Sequence, residues 1–217
     1  MQIVELFPTP MMIVNVESEL NMEEITKLKL LSLDRKNLIP NGNNGNFFHS
    51  NVDILKNYLI NSSLEKTIQK YLDIFLKDIW LEKEAEIGVT GSWLNINPPK
   101  TIHHEHFHMN SVLSGVLYIE ADSNCGDFVV HKTKANARQI GSFSFGKNKF
   151  VEKFQTFPPK KYDLHIFPST LEHSVTPNKS NKTRMSFSFN TFYKGEILMN
   201  PKSANSSLTK LVIGDLG

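Results

Sequence analysis

The chain has 217 residues, 40% of them apolar, a length that suits one domain of roughly 100–200 residues with an extension rather than two full domains. Its formal net charge is only +2 and no five like charges follow one another, so nucleic acid is not an expected partner. No apolar run approaches the roughly 18 residues of a bilayer span, and MQIVELFPTP lacks the basic and long apolar regions of a signal peptide, so a cytoplasmic protein without a membrane partner is expected.

In chain order, MQIVELFPTPMMIVNV carries β-branched and apolar residues on both sides of a Pro-Thr-Pro turn, which predicts two short strands. Asn21 precedes MEEITKLKLLSL, with acidic residues in the first turn and apolar ones at Met22, Ile25, Leu28 and Leu31, the pattern of a capped amphipathic helix. Residues 38–51, rich in Gly and Asn, read as a loop. Helical periodicity returns at 52–60 and, after Asn61, Ser62 and Ser63, in a longer helix to about residue 80. From residue 86 the pattern changes to short apolar or alternating runs separated by turn formers, which predicts a mainly β core of sandwich or jelly-roll type. The expected arrangement is therefore a single domain: strands and helices over 1–85, a jelly-roll core over 86–200 and a tail, 201–217, that ends in one strand.

The stretch HHEHFHMNS, residues 103–111, concentrates four of the eight histidines. In an extended segment, alternation turns His104, His106 and His108 to one face and His103 and Glu105 to the other. Two imidazoles at i and i+2 can grip one metal ion; solvated loop histidines are the alternative. A second segment, DLHIFPSTLEHSVTPN, supplies His173 in a short strand, and eleven residues on comes Arg184 in RMSFSFN. There Arg184, Ser186, Ser188 and Asn190 share one face, opposite Met185, Phe187 and Phe189. Only Arg35, Arg138 and Arg184 among 24 basic residues are arginine, so a planar two-pronged carboxylate donor is a reason for Arg184; a structural ion pair is the other. Cys125, the single cysteine, stands in a Ser-Asn-Cys-Gly turn without a basic neighbour and reads as a structural thiol. His49, His131 and His165 lack paired spacing and read as structural.

ELFPTP, SWLNIN, HFHMNSVLSGVLYI, IFPSTLEHSVTPN and TRMSFSFN, in that order, resemble the 2-oxoglutarate and Fe(II)-dependent oxygenases of phages and marine bacteria, relatives of the prolyl 4-hydroxylases. The resemblance implies a double-stranded β-helix (jelly roll) core with an N-terminal helical layer. It also implies Fe(II), 2-oxoglutarate and O2, with oxidation of a substrate C–H bond coupled to decarboxylation of 2-oxoglutarate to succinate and CO2. His106 then matches the first metal ligand and His173 the distal one, and Arg184 with Ser186 matches the Arg-x-Ser that binds the distal carboxylate of 2-oxoglutarate. Where the wider class has Asp or Glu, this chain has His108; the third ligand is His108, a carboxylate from elsewhere, or water. Asn95 and Trp93 are candidates for the pocket wall, with ordinary strand packing as their alternative. The substrate, a small molecule or a peptidyl group, would be selected by loops such as 38–51 and 132–160. If the gene is viral, the host cytoplasm is the place of action; a homodimer stays open. The competing expectation is a cupin-like metal-binding protein, an isomerase or binding module without 2-oxoglutarate, although MNSVLSG lacks the Glu that usually follows a cupin's His-x-His.

Overall fold

A computed structural model describes residues 1–2, 8–42, 44–132, 152–198 and 210–213. The strand expected before Pro8, most of the 132–160 loop and Arg138 lie outside the described residues. Strand β1 (Met12–Asn15) leads into helix α1 (Met22–Leu33), whose N-cap Asn21 accepts a hydrogen bond from the Glu23 amide at 2.9 Å. Ile25 and Leu28 of α1 are buried, as the 3.6-residue period requires. Residues 38–51 are not a plain loop: β2 (Leu38–Pro40) and β3 (Phe47–His49) form a hairpin around the Gly/Asn turn. Phe47, Phe48 and His49 supply the β-favouring side chains that the Gly and Asn content obscured.

Helix α2 (Ile54–Tyr58) is short, and α3 (Ser63–Ile74) continues as a π-helical turn over Phe75–Ile79. Ser62 caps α3 by accepting from the Glu65 amide at 3.0 Å. The Glu24 carboxylate of α1 accepts from the amides of Ser63 and Leu64 at 2.9 Å each, which fastens the two helices together through the positive end of α3. No helix among the described residues is long and apolar enough to cross a membrane.

The strands that follow are β4 (Ile87–Asn97), β5 (His103–His106), β6 (Leu113–Glu120), β7 (Phe128–His131), β8 (Phe154–Phe157), β9 (Asp163–Pro168), β10 (His173–Val175), β11 (Arg184–Tyr193), β12 (Gly195–Leu198) and β13 (Lys210–Ile213). They build a seven-stranded sheet in the order β1-β9-β6-β11-β4-β3-β2 and a four-stranded sheet in the order β5-β10-β7-β8, both antiparallel in their ladders: a jelly roll. β12 and β13 form a separate two-stranded ribbon.

The main core lies between the large sheet and the helices. There Leu117 and Ile119 of β6 and Met185, Phe187 and Phe189 of β11 join Leu28, Ile68, Leu72 and Phe75 in one buried cluster. The opposite faces of the same strands turn to the barrel interior, where Val116, Tyr118, Phe128, Phe167 and Leu171 form a smaller cluster. Strands buried on both faces read as nearly continuous apolar runs, as β6 does. On β11 the inner face is polar, so Arg184, Ser186 and Ser188 enter an interior that apolar packing would otherwise fill.

Candidate metal centre

Antiparallel pairing of β5 with β10 places the two histidine segments side by side, with His173 of β10 directly opposite His106 of β5. His108 follows just after β5, where its backbone amide donates to the Ser169 carbonyl at 2.9 Å. Ligand atoms of His106, His108 and His173 all lie within 4.8 Å of one another, and among the described residues they are the one such group. No described carboxylate joins them. Glu105 is exposed and approaches His131 instead, at 3.5 Å.

Backbone hydrogen bonds fix the rings. His106 Nδ1–H donates to the His104 carbonyl and His173 Nδ1–H to the Leu171 carbonyl, each at 2.8 Å. A carbonyl can only accept, so the proton sits on Nδ1 in both rings and Nε2 keeps its lone pair. Burial pulls His173 down to about 3, with the neighbouring His106 adding to the effect, and His108 down to about 4; burial lowers His106 as well. All three imidazoles are thus neutral near pH 7, ready to coordinate without releasing a proton.

The same pocket is lined by Trp93, Asn95, Tyr118, Arg184, Ser186 and Ser188. Both expected wall residues are therefore there: Trp93 tilts towards the His108 ring, centroids 5.8 Å apart, and Asn95 donates to Ser188 Oγ at 2.9 Å. Arg184 is 4% exposed. Its Nη1 donates weakly to the Cys125 and Gly126 carbonyls at 3.4 and 3.3 Å, and its Nε has no partner. Among the described residues no carboxylate forms an ion pair with it. Gly126, at φ +97°, allows the approach: a Cβ there would stand 2.4 Å from the Thr176 carbonyl oxygen and 3.3 Å from Arg184 Nη1. The fold thus gives Cys125, buried and expected to lack a basic neighbour, a guanidinium against its own carbonyl.

His103 and His104 depart from the alternation expected of the sequence. His103, expected to face away, lines the pocket and stacks on His106, centroids 4.6 Å apart and planes at 19°. The cause is a β-bulge: between the pairs His106↔His173 and Val175↔His103, β5 advances three residues while β10 advances two, which reverses the parity of alternation. His104 is exposed and sits at the rim, where its Nδ1 and Asn44 Nδ2 are 2.8 Å apart. Tyr118 has no counterpart in the sequence expectations: fully buried on the inner face of β6, it lines the pocket beside Arg184, and burial pushes its phenol up so that it stays protonated. Only its register against Ser186 could have singled it out from the run VLYI.

Residues 91–190 match the family described as "Putative 2OG-Fe(II) oxygenase". The three clustered histidines, Arg184 and the pocket-lining side chains named above lie within that stretch. Among solved structures, a prolyl-4-hydroxylase from Pseudomonas putida is 14% identical with a TM-score of 0.55, covering 84% of this chain and 92% of that one. An oxidoreductase of the 2OG-Fe(II) oxygenase family from Burkholderia pseudomallei is 15% identical with a TM-score of 0.54, covering 83% of each chain. HygX from Streptomyces hygroscopicus, determined with nickel, 2-oxoglutarate and hygromycin B bound, is 9% identical with a TM-score of 0.54, covering 84% of this chain and 82% of that one. At these identities the likeness is one of fold. No curated protein matches the sequence.

Proposed function

We propose that the chain is a 2-oxoglutarate and Fe(II)-dependent dioxygenase in which His106, His108 and His173 hold the metal and Arg184, with Ser186 and Tyr118, binds the distal carboxylate of 2-oxoglutarate. The observation that carries this reading is the buried guanidinium of Arg184, with an unpartnered Nε and no described carboxylate beside it, lining the same pocket as three neutral imidazoles. A buried charge without a counter-ion costs several kcal/mol, roughly, and an anionic ligand offsets that cost. The donor set fits a divalent metal: three ring nitrogens in mutual reach, two of them oriented by backbone carbonyls.

With Fe(II) and 2-oxoglutarate bound, the centre supplies oxidising power towards a substrate C–H bond, drawn from O2 and the oxidative decarboxylation of the cosubstrate. What the chain adds is orientation and exclusion of water. Arg184 offers Nε–H to one carboxylate end, Ser186 and the protonated Tyr118 phenol line the same pocket as hydroxyl donors, and Phe128, Phe167 and Val116 keep its wall apolar. A third imidazole in place of a carboxylate leaves the metal's charge uncancelled by protein, so the anionic cosubstrate neutralises both this charge and that of Arg184. A cupin-like role without 2-oxoglutarate accounts for the three histidines but leaves Arg184 uncompensated. Cytoplasmic action on a small-molecule or peptidyl substrate completes the reading.

The direct test is anaerobic addition of Fe(II) and 2-oxoglutarate to metal-free protein. A metal-to-ligand charge-transfer band in the visible that requires both components is the expected result. Binding of the metal with no band and no uptake of 2-oxoglutarate would favour the cupin-like role.

A further inference from the structure

On strands that carry the metal ligands lies a second constellation of three side chains, none of which lines the histidine pocket. Glu105 immediately precedes His106 on β5, and Ser174 immediately follows His173 on β10. His131, at the end of β7, stands between them: its Nδ1 is 3.5 Å from Glu105 Oε2 and its Nε2 is 2.7 Å from Ser174 Oγ. One tautomer satisfies both contacts. With the proton on Nδ1 the ring faces the carboxylate as a donor, and the Ser174 hydroxyl donates to Nε2.

An acid, a histidine and a serine in this order resemble the machinery of a nucleophilic hydrolase, so two roles compete. Nucleophilic catalysis also needs amide donors for an oxyanion. Ser174 lies in the middle of β10, which is paired on one side with β5 and on the other with β7, so the amides around it serve the two ladders. The sheet order decides the matter. β5 is an edge strand, only four residues long, and its ladder to β10 is interrupted by the bulge between the His106 and His103 pairs. Few backbone hydrogen bonds therefore hold the strand that bears His106.

We propose that Glu105, His131 and Ser174 are positioning residues: a side-chain strap across β5, β10 and β7 that holds His106 in register with His173 and so sets the geometry of the metal centre. Rotation of His131 would release β5 at the one place where its ladder is irregular. The inference rests on the reading of His106, His108 and His173 as metal ligands.

The test uses the full chain and Co(II) as the probe, read both by binding isotherm and by the visible absorption of the bound ion. His131→Leu, which keeps side-chain volume and loses both contacts, is expected to weaken Co(II) binding about tenfold to a hundredfold and to alter the Co(II) spectrum. Ser174→Ala and Glu105→Gln, milder in case His131→Leu fails to fold, should weaken it severalfold in the same direction. His131→Gln, whose amide can donate to Glu105 and accept from Ser174, should recover most of the affinity. Variants that lower the melting temperature of the apo-protein yet leave Co(II) affinity and spectrum unchanged would overturn the strap, and so would covalent labelling of Ser174 by a fluorophosphonate. Failure of the wild-type chain to bind Co(II) would remove the metal centre itself and this inference with it, whereas normal wild-type binding with unaffected variants would remove only the strap.

Discussion

His108 is the residue that most distinguishes this centre. Its ring completes a three-imidazole group with no described carboxylate in reach, so His108→Ala should lower Fe(II) affinity by on the order of tenfold or more, about as much as His106→Ala does. Metal analysis after equilibrium dialysis checks this; unchanged occupancy in His108→Ala alone would place the third donor elsewhere. His165 makes a separate prediction. It is buried against Tyr118 and Phe128 with both ring nitrogens unpartnered, and burial pulls it down to about 4 from 6.5. Between those two values the unfolded chain binds a proton that the folded chain refuses. The stability tied to this group is therefore fully present above pH 6.5 and falls as pH drops towards 4, by up to about 1.4 kcal/mol per pH unit. Urea unfolding of the apo-protein at pH 5 and pH 7 should show a smaller loss for His165→Leu than for wild type; an equal loss would contradict the assignment. At this scale the sequence was informative about His106, His173 and Arg184, whose types and spacing carry chemistry on their own. His103 and Tyr118 were hidden because a bulge and a cross-strand neighbour, both properties of pairing, decide where they point.

Among the elements, β11 shows how one strand serves two purposes. Its odd-numbered residues Met185, Phe187 and Phe189 pack on the helices while Arg184, Ser186 and Ser188 line the pocket, and strict alternation made both faces readable before any pairing was known. Phe187 is fully buried, so Phe187→Ala should cost about 3–5 kcal/mol in chemical unfolding. In the folded fraction its metal affinity should stay near wild type, since the side chain lies on the far side of the sheet; a parallel loss of metal binding would contradict the separation of the two faces. Ser62→Ala should remove the α3 cap for about 1 kcal/mol. The helices were legible for the same reason as β11: Asn21 and Ser62 mark their starts and apolar periodicity their buried faces. The β2–β3 hairpin was not, because Gly and Asn in a tight turn look the same in sequence whether or not strands flank them. β8 lies within a stretch whose sequence predicts a loop, since Phe154 and Gln155 face solvent and leave no apolar alternation.

For the whole molecule, the division of labour between layers explains why a polar pocket is tolerated. The large apolar cluster between sheet and helices stabilises the fold, so the barrel interior can hold polar groups: four histidines, an arginine with no described carboxylate beside it, and Ser186 and Ser188. On the proposed function a metal and an anion offset the cost of burying the imidazoles and the guanidinium, so ligand binding should stabilise the protein in proportion to its occupancy. A mainly β core behind a helical layer could be expected from the change of pattern at residue 86; the site's closure could not, because it depends on Gly126 and the Cys125 carbonyl reaching Arg184 from a distant turn.

The proposed function requires Arg184 and the histidines to form one site for metal and cosubstrate. Titration calorimetry of 2-oxoglutarate into Ni(II)-loaded protein under anaerobic conditions, for wild type and Arg184→Leu, tests it most directly. Binding to wild type, its loss by at least about a hundredfold in Arg184→Leu, as expected for a severed charge-assisted carboxylate anchor, and Ni(II) affinity within a few-fold of wild type in both are the expected results. Equal loss of Ni(II) and 2-oxoglutarate would show that Arg184 supports the fold, and undiminished 2-oxoglutarate binding in Arg184→Leu would show that the cosubstrate is anchored elsewhere.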